Sequence, residues 1–347
     1  MAYTDLDKPS DYFNTVLYTG NAGTQSITGV GFQPDFFWGK SRSNTKNNAL
    51  HDSVRGVTVR LISNTAAAEA TVSASVTAFG SDGFTLGSDT TSNASGNTFV
   101  AWNWKGGTTA SGTTGGSGTG KPYAYSASPA SGFSVVTFTG NATAGHLIPH
   151  GMGKVPKMIH IKSRGDDNGW TSGVSVAGGF NDHAYLYLEN AFGTDANQFG
   201  GTHTTTNIRL GTGTGTNGNN GTRVAYCFAD VQGYQKIGEY TGNGNADGTF
   251  IYLGFKPAWF MLKKTSAADP WLIYDNKRSP INQVQANLQA NTSNVEVTNT
   301  VYLDFLSNGV KLRNTDNDGN LSGGTFIYLA IAENPLVTST GVPATAR

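Results

Sequence analysis

The chain has 347 residues, and its 23 Lys and Arg side chains balance its 23 Asp and Glu side chains, so the formal net charge is zero. This balance lacks the basic surplus of nucleic-acid-binding proteins, and no window approaches the ~18 apolar residues of a membrane span. The single cysteine, Cys227, excludes an internal disulfide framework and a cysteine-based zinc site. We therefore expect no nucleic acid partner and no membrane insertion.

Residues 1–107 contain four short motifs that return later in the chain. In order they are VLYTGN, GFQPDFFWGKS, GFTLGS and GNTFVAWNW. In the second motif Phe36, Trp38 and Lys40 occupy alternate positions, a period of two that is typical of a β-strand. The runs are short, aromatic and β-branched, and Gly, Asn, Ser and Asp separate them. We predict a first antiparallel β-sandwich repeat over residues 1–107.

Residues 108–132 are dominated by Gly, Ser and Thr. They contain GGSGTGKP, in which Gly115, Gly120 and Lys121 have the spacing of a phosphate-binding loop. Such a loop follows a buried strand and precedes a helix. Here a Gly/Ser/Thr tract comes first, and Pro122 replaces the magnesium-binding Ser or Thr. We predict a flexible linker and no nucleotide cofactor.

The four motifs return twice more in the same order. Residues 133–231 carry VTFTGN, GKVPKMIHIKS, NIRLGT and GTRVAYCFA, and residues 232–334 carry GEYTGN, GFKPAWFMLKK, GVKLRN and GGTFIYLAIA. The predicted fold is all-β, with three tandem antiparallel β-sandwich or jelly-roll-like repeats joined by Gly/Ser/Thr-rich linkers. The remaining residues, 335–347, form a polar C-terminal tail that we expect to dock on a neighbouring subunit.

The second repeat is the diverged one. The first repeat contains Asp52 and Arg55, and the third contains Asp275 and Arg278. Asp52 follows Lys40 by twelve residues, as Asp275 follows Lys263, and we call the lysine at this position of the second motif the motif lysine. The second repeat has SGVSVAGG in this place, without the Asp or the Arg. Because the pair recurs, a structural ion pair or turn clamp is favoured over a functional site.

No residue pattern points to catalysis or to a metal ion. The sequence contains neither a G-x-S-x-G elbow nor an H-E-x-x-H motif. A pair of catalytic carboxylates is defined by space and stays open, although the acids recur in turns. The segment Thr315–Asn320 resembles the start of a calcium loop, but Ile327 replaces its bidentate Glu, so a hairpin turn is favoured. His146 and His150 lack a third ligand nearby. We predict no enzyme, no catalytic residue, no metal site and no cofactor.

Aromatic rings outside the recurring motifs are the candidates for ligand contact. The second repeat supplies Trp170, His183, Tyr185 and Tyr187. Sugar-binding surfaces combine stacking aromatic rings with Asn and Asp groups, and the neighbouring GDDNG and GGFNDH segments contain such groups. Packing in the core is the alternative for these four side chains.

The recurring motifs together are similar to those of a known family. The segments that carry the resemblance include YFNTVLYTGNAGTQSITGVGFQPDFFW, HDSVRG, GNTFVAWNWK, GFSVVTFTGNA, RVAYCFADVQGYQKIGEYTGN and SGGTFIYLAIAENP. They resemble the repeat-bearing, tail-fibre-like virion structural proteins of tailed bacteriophages, which are abundant in marine podoviruses. The resemblance covers nearly the whole chain and provides no catalytic residues. Long fibres usually carry an anchoring region and a shaft, whereas the first repeat here begins by Tyr12 and no heptad run is present.

The resemblance implies a non-enzymatic virion structural protein, a tail-fibre or tail-appendage component involved in host-surface recognition. Two alternatives stay open: a protein that decorates the capsid or tail without a host ligand, and a polysaccharide-degrading tailspike. The expected location is the virion, on a tail appendage rather than on the capsid surface. The expected partners are other virion subunits, a host cell-surface glycan or protein, and further copies of the chain, as a trimer by analogy with fibres.

Overall fold

Antiparallel strands make up most of the regular structure. The computed structural model describes residues 4–176, 179–298 and 302–345, and in these ranges the strands assemble into three large and three small sheets. Strands cover 44% of the chain and helices 5%, which confirms the all-β prediction. The helices of the described ranges are single turns, too short to cross a membrane.

The first large sheet and the first small sheet form the first sheet pair, residues 13–104. Its strands are β1 (Phe13–Thr19), β2 (Gln25–Thr28), β3 (Phe36–Ser41), β4 (Ala49–Asp52), β5 (Val59–Ile62), β6 (Ala70–Thr71), β7 (Val76–Gly80), β8 (Gly83–Leu86) and β9 (Thr98–Trp104), with helical turns at Pro9–Asp11 and α1 (Thr90–Asn93). The large sheet has the order β1-β9-β3-β4-β5-β6, and the small sheet has the order β2-β8-β7. The alternating motif of residues 36–40 therefore lies in a strand, as predicted.

The second sheet pair, residues 108–228, has the widest sheet. Its strands are β10 (Thr108–Thr113), β11 (Gly115–Gly116), β12 (Pro122–Ser128), β13 (Phe133–Thr139), β14 (His146–Pro149), β15 (Met158–Ser163), β16 (Trp170–Val174), β17 (Asp182–Tyr185), β18 (Gly193–Thr194), β19 (Asn207–Leu210) and β20 (Thr222–Phe228), with helical turns at Gly179–Asn181 and α2 (Thr214–Asn217). The large sheet has the order β10-β12-β13-β20-β15-β16-β17-β18, and the small sheet has the order β11-β14-β19.

The segment predicted as a linker belongs to this second sheet pair. Strand β10 pairs with β12, β12 pairs with β13, and Gly115–Gly116 pairs with β14. Tyr123 and Tyr125 alternate along β12 and pack against the core of the second sandwich, so the segment has an apolar face in spite of its composition. The prediction of a flexible linker over residues 108–132 is therefore wrong. Lys121 is followed by a strand, so the helix that a phosphate-binding loop needs does not follow it.

The third sheet pair, residues 235–335, repeats the same plan. Its strands are β21 (Gln235–Thr241), β22 (Phe250–Tyr252), β23 (Phe255–Lys264), β24 (Leu272–Asp275), β25 (Leu288–Gln289), β26 (Leu303–Leu306), β27 (Gly309–Leu312) and β28 (Thr325–Pro335), with a helical turn α3 (Asn317–Asn320). The sheet orders are β21-β28-β23-β24-β25 and β22-β27-β26. All three large sheets contain the same run of five corresponding strands, β1-β9-β3-β4-β5, β13-β20-β15-β16-β17 and β21-β28-β23-β24-β25. The shared strand order is what three tandem repeats would produce. The number of repeats and their bounds stay a prediction.

The central strand of each large sheet is buried on both faces. On β9, Phe99 and Ala101 pack in the core of the first sandwich, while Val100, Trp102 and Trp104 pack in a core common to all three large sheets. Strands β20 and β28 alternate between two cores in the same way. The molecule thus has three sandwich cores around one central core.

Aromatic rings from different sheet pairs meet in the central core. The ring centroids of Trp104 and Trp259 are 5.7 Å apart, and those of Phe36 and Tyr226 are 4.2 Å apart. Burial of such large side chains is the main favourable contribution to the packing of the sheet pairs on one another.

Three backbone hydrogen bonds at corresponding positions connect the sheet pairs in a closed ring. The N–H donors and carbonyl acceptors are Glu69 with Arg164 (2.9 Å), Phe192 with Thr265 (3.0 Å) and Glu296 with Arg42 (2.9 Å). The contacts therefore run from the first pair to the second, from the second to the third, and from the third back to the first. Such a head-to-tail series closes when the rotations add to a full turn.

The C-terminal tail docks on its own chain. The Leu336 N–H donates to the carbonyl oxygen of Gly254 at 3.3 Å, and the Ser339 N–H donates to the carboxylate of Asp7 at 2.6 Å. The tail therefore connects the third sheet pair with the N-terminal segment. Docking of the tail on a neighbouring subunit stays a prediction.

Candidate functional site

Trp170, the first residue of the predicted ligand-contact group, lies inside the protein. Its side chain is fully buried and stacks against Tyr226, with ring centroids 6.0 Å apart. The indole N–H donates to the carbonyl oxygen of Ile62 at 2.8 Å, across the contact between the first and second sheet pairs. A side chain in this position cannot reach a ligand at the surface, so the prediction is wrong for Trp170.

The other three predicted residues do come together, on one face of β17 and the segment after it. His183 Nε2 lies 3.4 Å from the Tyr185 hydroxyl, and the Tyr185 and Tyr187 rings meet edge to face at 5.9 Å between centroids. The Tyr187 ring covers Gly169, where an added Cβ would lie 2.0 Å from it. Burial lowers the pKa of His183 and raises that of Tyr187. These side chains contact one another, and their contact with a ligand stays a prediction.

A buried group of charges connects the first and second sheet pairs. Arg55 Nε lies 2.6 Å from the Asp52 carboxylate, which also accepts a hydrogen bond from the Tyr226 hydroxyl at 2.7 Å. Arg55 reaches Glu69 at 3.4 Å, and Glu69 pairs with Arg164 of the second sheet pair at 2.8 Å. Burial raises the pKa of Tyr226, so its hydroxyl stays a donor. The Asp52–Arg55 pair is structural, as the sequence indicates.

A matching group connects the third and first sheet pairs. Arg278 Nε lies 2.5 Å from Asp275, and the Trp102 indole N–H donates to that carboxylate at 3.0 Å. The guanidinium of Arg278 also lies over the Trp102 ring, 5.5 Å from its centroid, and reaches Glu296 at 3.2 Å. Glu296 pairs with Arg42 at 2.8 Å. The two groups therefore have the same order of acid and base.

The contact between the second and third sheet pairs replaces these charges with neutral side chains. The strand registers place Val174 where the other sheets have Asp52 and Asp275. The backbone bond of the ring places Phe192 in the position of the two glutamates and Thr265 in that of their arginine partners. The aspartate, the glutamate and the arginine that pairs with the glutamate have all been replaced at this contact. Joint replacement is expected if these residues form one shared contact, and not if they are independent surface positions.

The motif lysine of each sheet pair is buried among backbone carbonyl groups. Lys40 Nζ donates to the Ser293 carbonyl at 2.8 Å, Lys162 Nζ to that of Asn168 at 2.7 Å, and Lys263 Nζ to that of Glu189 at 3.2 Å. Burial lowers the pKa of Lys40 to about 7 and those of Lys162 and Lys263 to about 8. Lys40 and Lys263 each bond to the neighbouring sheet pair, so the motif lysines also hold the ring together.

Two carboxyl groups of the third sheet pair interact directly. Burial, together with a hydrogen bond to Asp269, raises the pKa of Asp318 to about 7. Lys264 lies against the Asp269 carboxylate. Glycosidases hold their two catalytic carboxyl groups about 5–9.5 Å apart so that the glycosidic bond fits between them. A directly hydrogen-bonded pair leaves no such space.

The segment that resembles a calcium loop forms a capped helical turn. The Asp316 carboxylate accepts the Asp318 N–H at 2.8 Å at the start of α3, where a hairpin turn was expected. Among the described residues, no three His, Cys, Asp or Glu side chains are grouped closely enough to hold a metal ion.

A cavity of about 380 Å³ lies where the connection into β21, strand β22 and the C-terminal tail meet. We call it the junction pocket, and its lining includes Asp230, Gln235, Lys236, Tyr252 and Leu336. Tyr252 is 54% exposed, and Lys236 Nζ lies 5.3 Å from the centroid of its ring. Lys236 Nζ also donates to the Tyr252 carbonyl at 2.7 Å, which fixes the ammonium group beside the ring.

The polar groups of the junction pocket are held by the backbone around it. The Asp230 carboxylate accepts the Ile237 N–H at 2.8 Å, and the surrounding protein raises its pKa by desolvation. Gln235 is buried, and its Nε2 donates to the Ala229 carbonyl at 2.7 Å. Its Oε1 has no hydrogen-bond partner in the described part of the chain. An unpaired buried acceptor costs about 1–3 kcal/mol.

Sequence reasoning missed the junction pocket because its parts are far apart along the chain. Asp230, Tyr252 and Leu336 come from three segments that only the folded chain brings together. One feature of the sequence could have indicated it. Tyr252 is aromatic, whereas the corresponding residues of the first and second sheet pairs are Thr28 and Pro149.

The comparisons with known proteins return a single family. The model of the family described as a domain of unknown function, DUF7483, matches residues 8–335. No curated protein and no solved structure matches the chain.

Proposed function

The chain belongs to the DUF7483 family, and we propose that it is a non-enzymatic structural protein of a bacteriophage virion. In the particle it forms part of a tail appendage and takes part in host-surface recognition. The proposal starts from the likeness of the recurring motifs to those of virion structural proteins. The way the chain uses its charged side chains supports it.

The observation that carries the proposal is the placement of the buried charges. Asp52 and Arg55 bond to each other and to Tyr226 of the next sheet pair, and Asp275 and Arg278 do the same with Trp102. Charged groups of an active site instead line a cleft that a substrate can enter. A chain whose buried charges hold its own sheets together is suited to a structural role.

The candidate catalytic groups also favour a protein without enzymatic activity. Cys227 is buried, and burial raises the pKa of its thiol, so the nucleophilic thiolate is disfavoured. The Asp269–Asp318 pair is too close for glycoside hydrolysis. These two observations favour the structural protein over the tailspike enzyme.

The closed ring bears on the trimer expected by analogy with fibres. In such fibres three chains enclose one core, whereas here three sheet pairs of one chain share a central core. We propose that the single chain acts as the three-part unit that meets other virion subunits. A trimer of chains stays a prediction.

The location of the chain in the intact virion tests the proposal. Purified particles are labelled with a gold-conjugated antibody to this protein and imaged by electron microscopy, with an antibody to the major capsid protein as control. Label at the distal ends of tail appendages supports host recognition. Label spread over the capsid contradicts it and leaves a decorating protein, and absence of label from purified particles contradicts the virion role altogether.

A further inference from the structure

We propose that the junction pocket is a binding site for a neutral saccharide, with Tyr252 as its stacking platform. This inference deepens the host-recognition part of the proposed function and rests on it for its biological meaning. It stands on four observations: an exposed ring, a balanced pair of charges, a fitting volume and a departure from the other two sheet pairs.

The exposed ring is the first observation. Tyr252 lies on the edge strand β22 and is 54% exposed, whereas Ile251 beside it is buried. Lys236 Nζ lies 5.3 Å from the centroid of the ring, and its bond to the Tyr252 carbonyl keeps the ammonium group there. A sugar presents a face of C–H groups that packs against such a ring, and the phenol hydroxyl can bond to a sugar hydroxyl at its edge.

The charges of the pocket select the class of ligand. Asp230 and Lys236 both line the cavity, and their opposite charges cancel. A carboxylate only accepts hydrogen bonds and an ammonium group only donates them. A hydroxyl group does both, so a ligand with several neighbouring hydroxyl groups can satisfy the pair, and an ionic ligand would be repelled by one of the two.

The size of the cavity agrees with a small ligand. Its volume of about 380 Å³ lies at the lower end of the range of roughly 300–1,000 Å³ that is usual for small-molecule sites. One sugar ring with part of a second is the size of ligand that such a cavity accommodates.

Two polar residues of the pocket differ from their counterparts in the other two sheet pairs. Gln235 stands where the other two sheet pairs have Phe13 and Phe133 in the central core. Lys236 stands where they have Asn14 and Ser134. An apolar side chain at the position of Gln235 would suffice for the central core, and at the position of Lys236 the change adds a positive charge, so these departures favour a separate role for this end of the third sheet pair.

Saturation-transfer NMR on the purified full-length chain tests the site. The probes are D-glucose, D-galactose, L-rhamnose and N-acetyl-D-glucosamine, each at on the order of ten times the about millimolar Kd expected for a ligand of this size. N-acetylneuraminic acid serves as the anionic control. At least one neutral sugar is expected to bind, and the anionic sugar is expected not to bind.

Three variants locate the binding. Tyr252→Ala should weaken it at least tenfold, and Lys236→Gln should weaken it several-fold. Phe250→Ala is the matched control, because Phe250 is 43% exposed on the same face of the same strand but does not line the cavity. Thermal melting verifies that all three variants stay folded.

Three outcomes would overturn the inference: no neutral sugar of the panel binds, N-acetylneuraminic acid binds as well as they do, or Tyr252→Ala and Phe250→Ala weaken binding equally. Saccharide binding is measured on the isolated protein and virion location on the particle. Loss of the first with tail label retained refutes the pocket alone, and the reverse result refutes the proposed location alone.

Discussion

The Tyr226 hydroxyl donates a hydrogen bond to the Asp52 carboxylate at 2.7 Å, across the contact between the second and first sheet pairs. Trp102 makes the corresponding bond to Asp275 at 3.0 Å, across the contact between the first and third sheet pairs. At the remaining contact the corresponding residues are Leu329 and Val174, both in the central core. Donor and acceptor are therefore present together or absent together, which identifies this position as a requirement of the ring.

Removing the Tyr226 hydroxyl should destabilise the fold. In Tyr226→Phe the buried Asp52 carboxylate loses a donor, so we expect the free energy of unfolding to fall by about 1–2 kcal/mol. Urea unfolding measures the change. Tyr234→Phe is the control, because the Tyr234 hydroxyl is equally buried but has no partner in the described part of the chain. Equal losses in the two variants would contradict the role assigned to the Tyr226 bond.

Removing the Asp275 carboxylate should cost more. Asp275→Ala removes the acceptor of the buried Arg278 Nε and of the Trp102 indole N–H, and it leaves Glu296 as the carboxylate that Arg278 still reaches. We expect a loss of about 3–5 kcal/mol, the usual effect of breaking one side of a buried ion pair. Asp11→Ala, which breaks the exposed pair with Lys8, should leave the unfolding midpoint unchanged. A midpoint for Asp275→Ala close to that of the wild type would argue against a cluster that holds the ring.

The packing of β12 can be tested by comparing two glycines, of which only the first contacts the Tyr125 ring. Gly151 and Gly153 both have a positive φ, +72° and +66°, so alanine is strained at either position. An added Cβ at Gly151 would lie 2.3 Å from the Tyr125 ring, whereas at Gly153 it meets open space. We expect Gly151→Ala to be about 1–3 kcal/mol less stable than Gly153→Ala. Similar stabilities would mean that Tyr125 does not pack as described and that the segment behaves as the linker predicted from composition.

The histidines make the fold sensitive to acid. Burial is the main cause that lowers the pKa of all six, to about 3 for His51, His160 and His203. The unfolded chain therefore binds more protons below about pH 6.5, and stability falls as the pH drops from there towards 3. Each histidine contributes at most about 1.4 kcal/mol per pH unit.

A single substitution isolates this effect. His160 corresponds to Met261 of the third sheet pair, so His160→Met keeps an apolar fit and removes one titrating group. Urea unfolding between about pH 7 and pH 4 should give a slope that is flatter by about 1.4 kcal/mol per pH unit for the variant. An unchanged slope would show that His160 takes up its proton in the folded state.

The motif lysines determine the predicted pH dependence of stability on the alkaline side. Burial lowers their pKa values from 10.5 to about 7 for Lys40 and about 8 for Lys162 and Lys263. Above these values the unfolded chain binds more protons than the folded one, so stability should rise from about pH 7 to pH 9.5, by on the order of 7 kcal/mol in total. Urea midpoints at the two pH values measure the rise. A flat profile would mean that the surrounding carbonyl groups stabilise the ammonium forms fully.

The class of fold and the recurring ion pairs could be predicted because they depend on local patterns. The alternation of Phe36, Trp38 and Lys40 identifies a strand, and the shared spacing of Asp52 and Asp275 identifies a structural pair. The strand at residues 122–128 could not be predicted from composition, since the Gly, Ser and Thr content of the whole segment 108–132 outweighs the alternating Tyr123 and Tyr125.

The burial of Trp170 could have been inferred from register. Trp170 follows its motif lysine by eight residues, as Asn48 and Trp271 follow theirs. All three side chains donate to a carbonyl group of the preceding sheet pair in the ring: Trp170 to Ile62, Trp271 to Tyr185 and Asn48 to Gln289. The acceptors themselves could not be predicted from the sequence, because the strands that carry them lie far away along the chain and are brought close by the closure of the ring.

That closure within one polypeptide changes how the protein can evolve. In an assembly of three identical subunits, every substitution arrives at all three interfaces at once and must be tolerated at each. Here a codon change alters one interface only, so the interface of Val174 and Phe192 was free to lose its charges while the other two kept theirs. A ring built from one chain can therefore change one of its three interfaces without disturbing the other two.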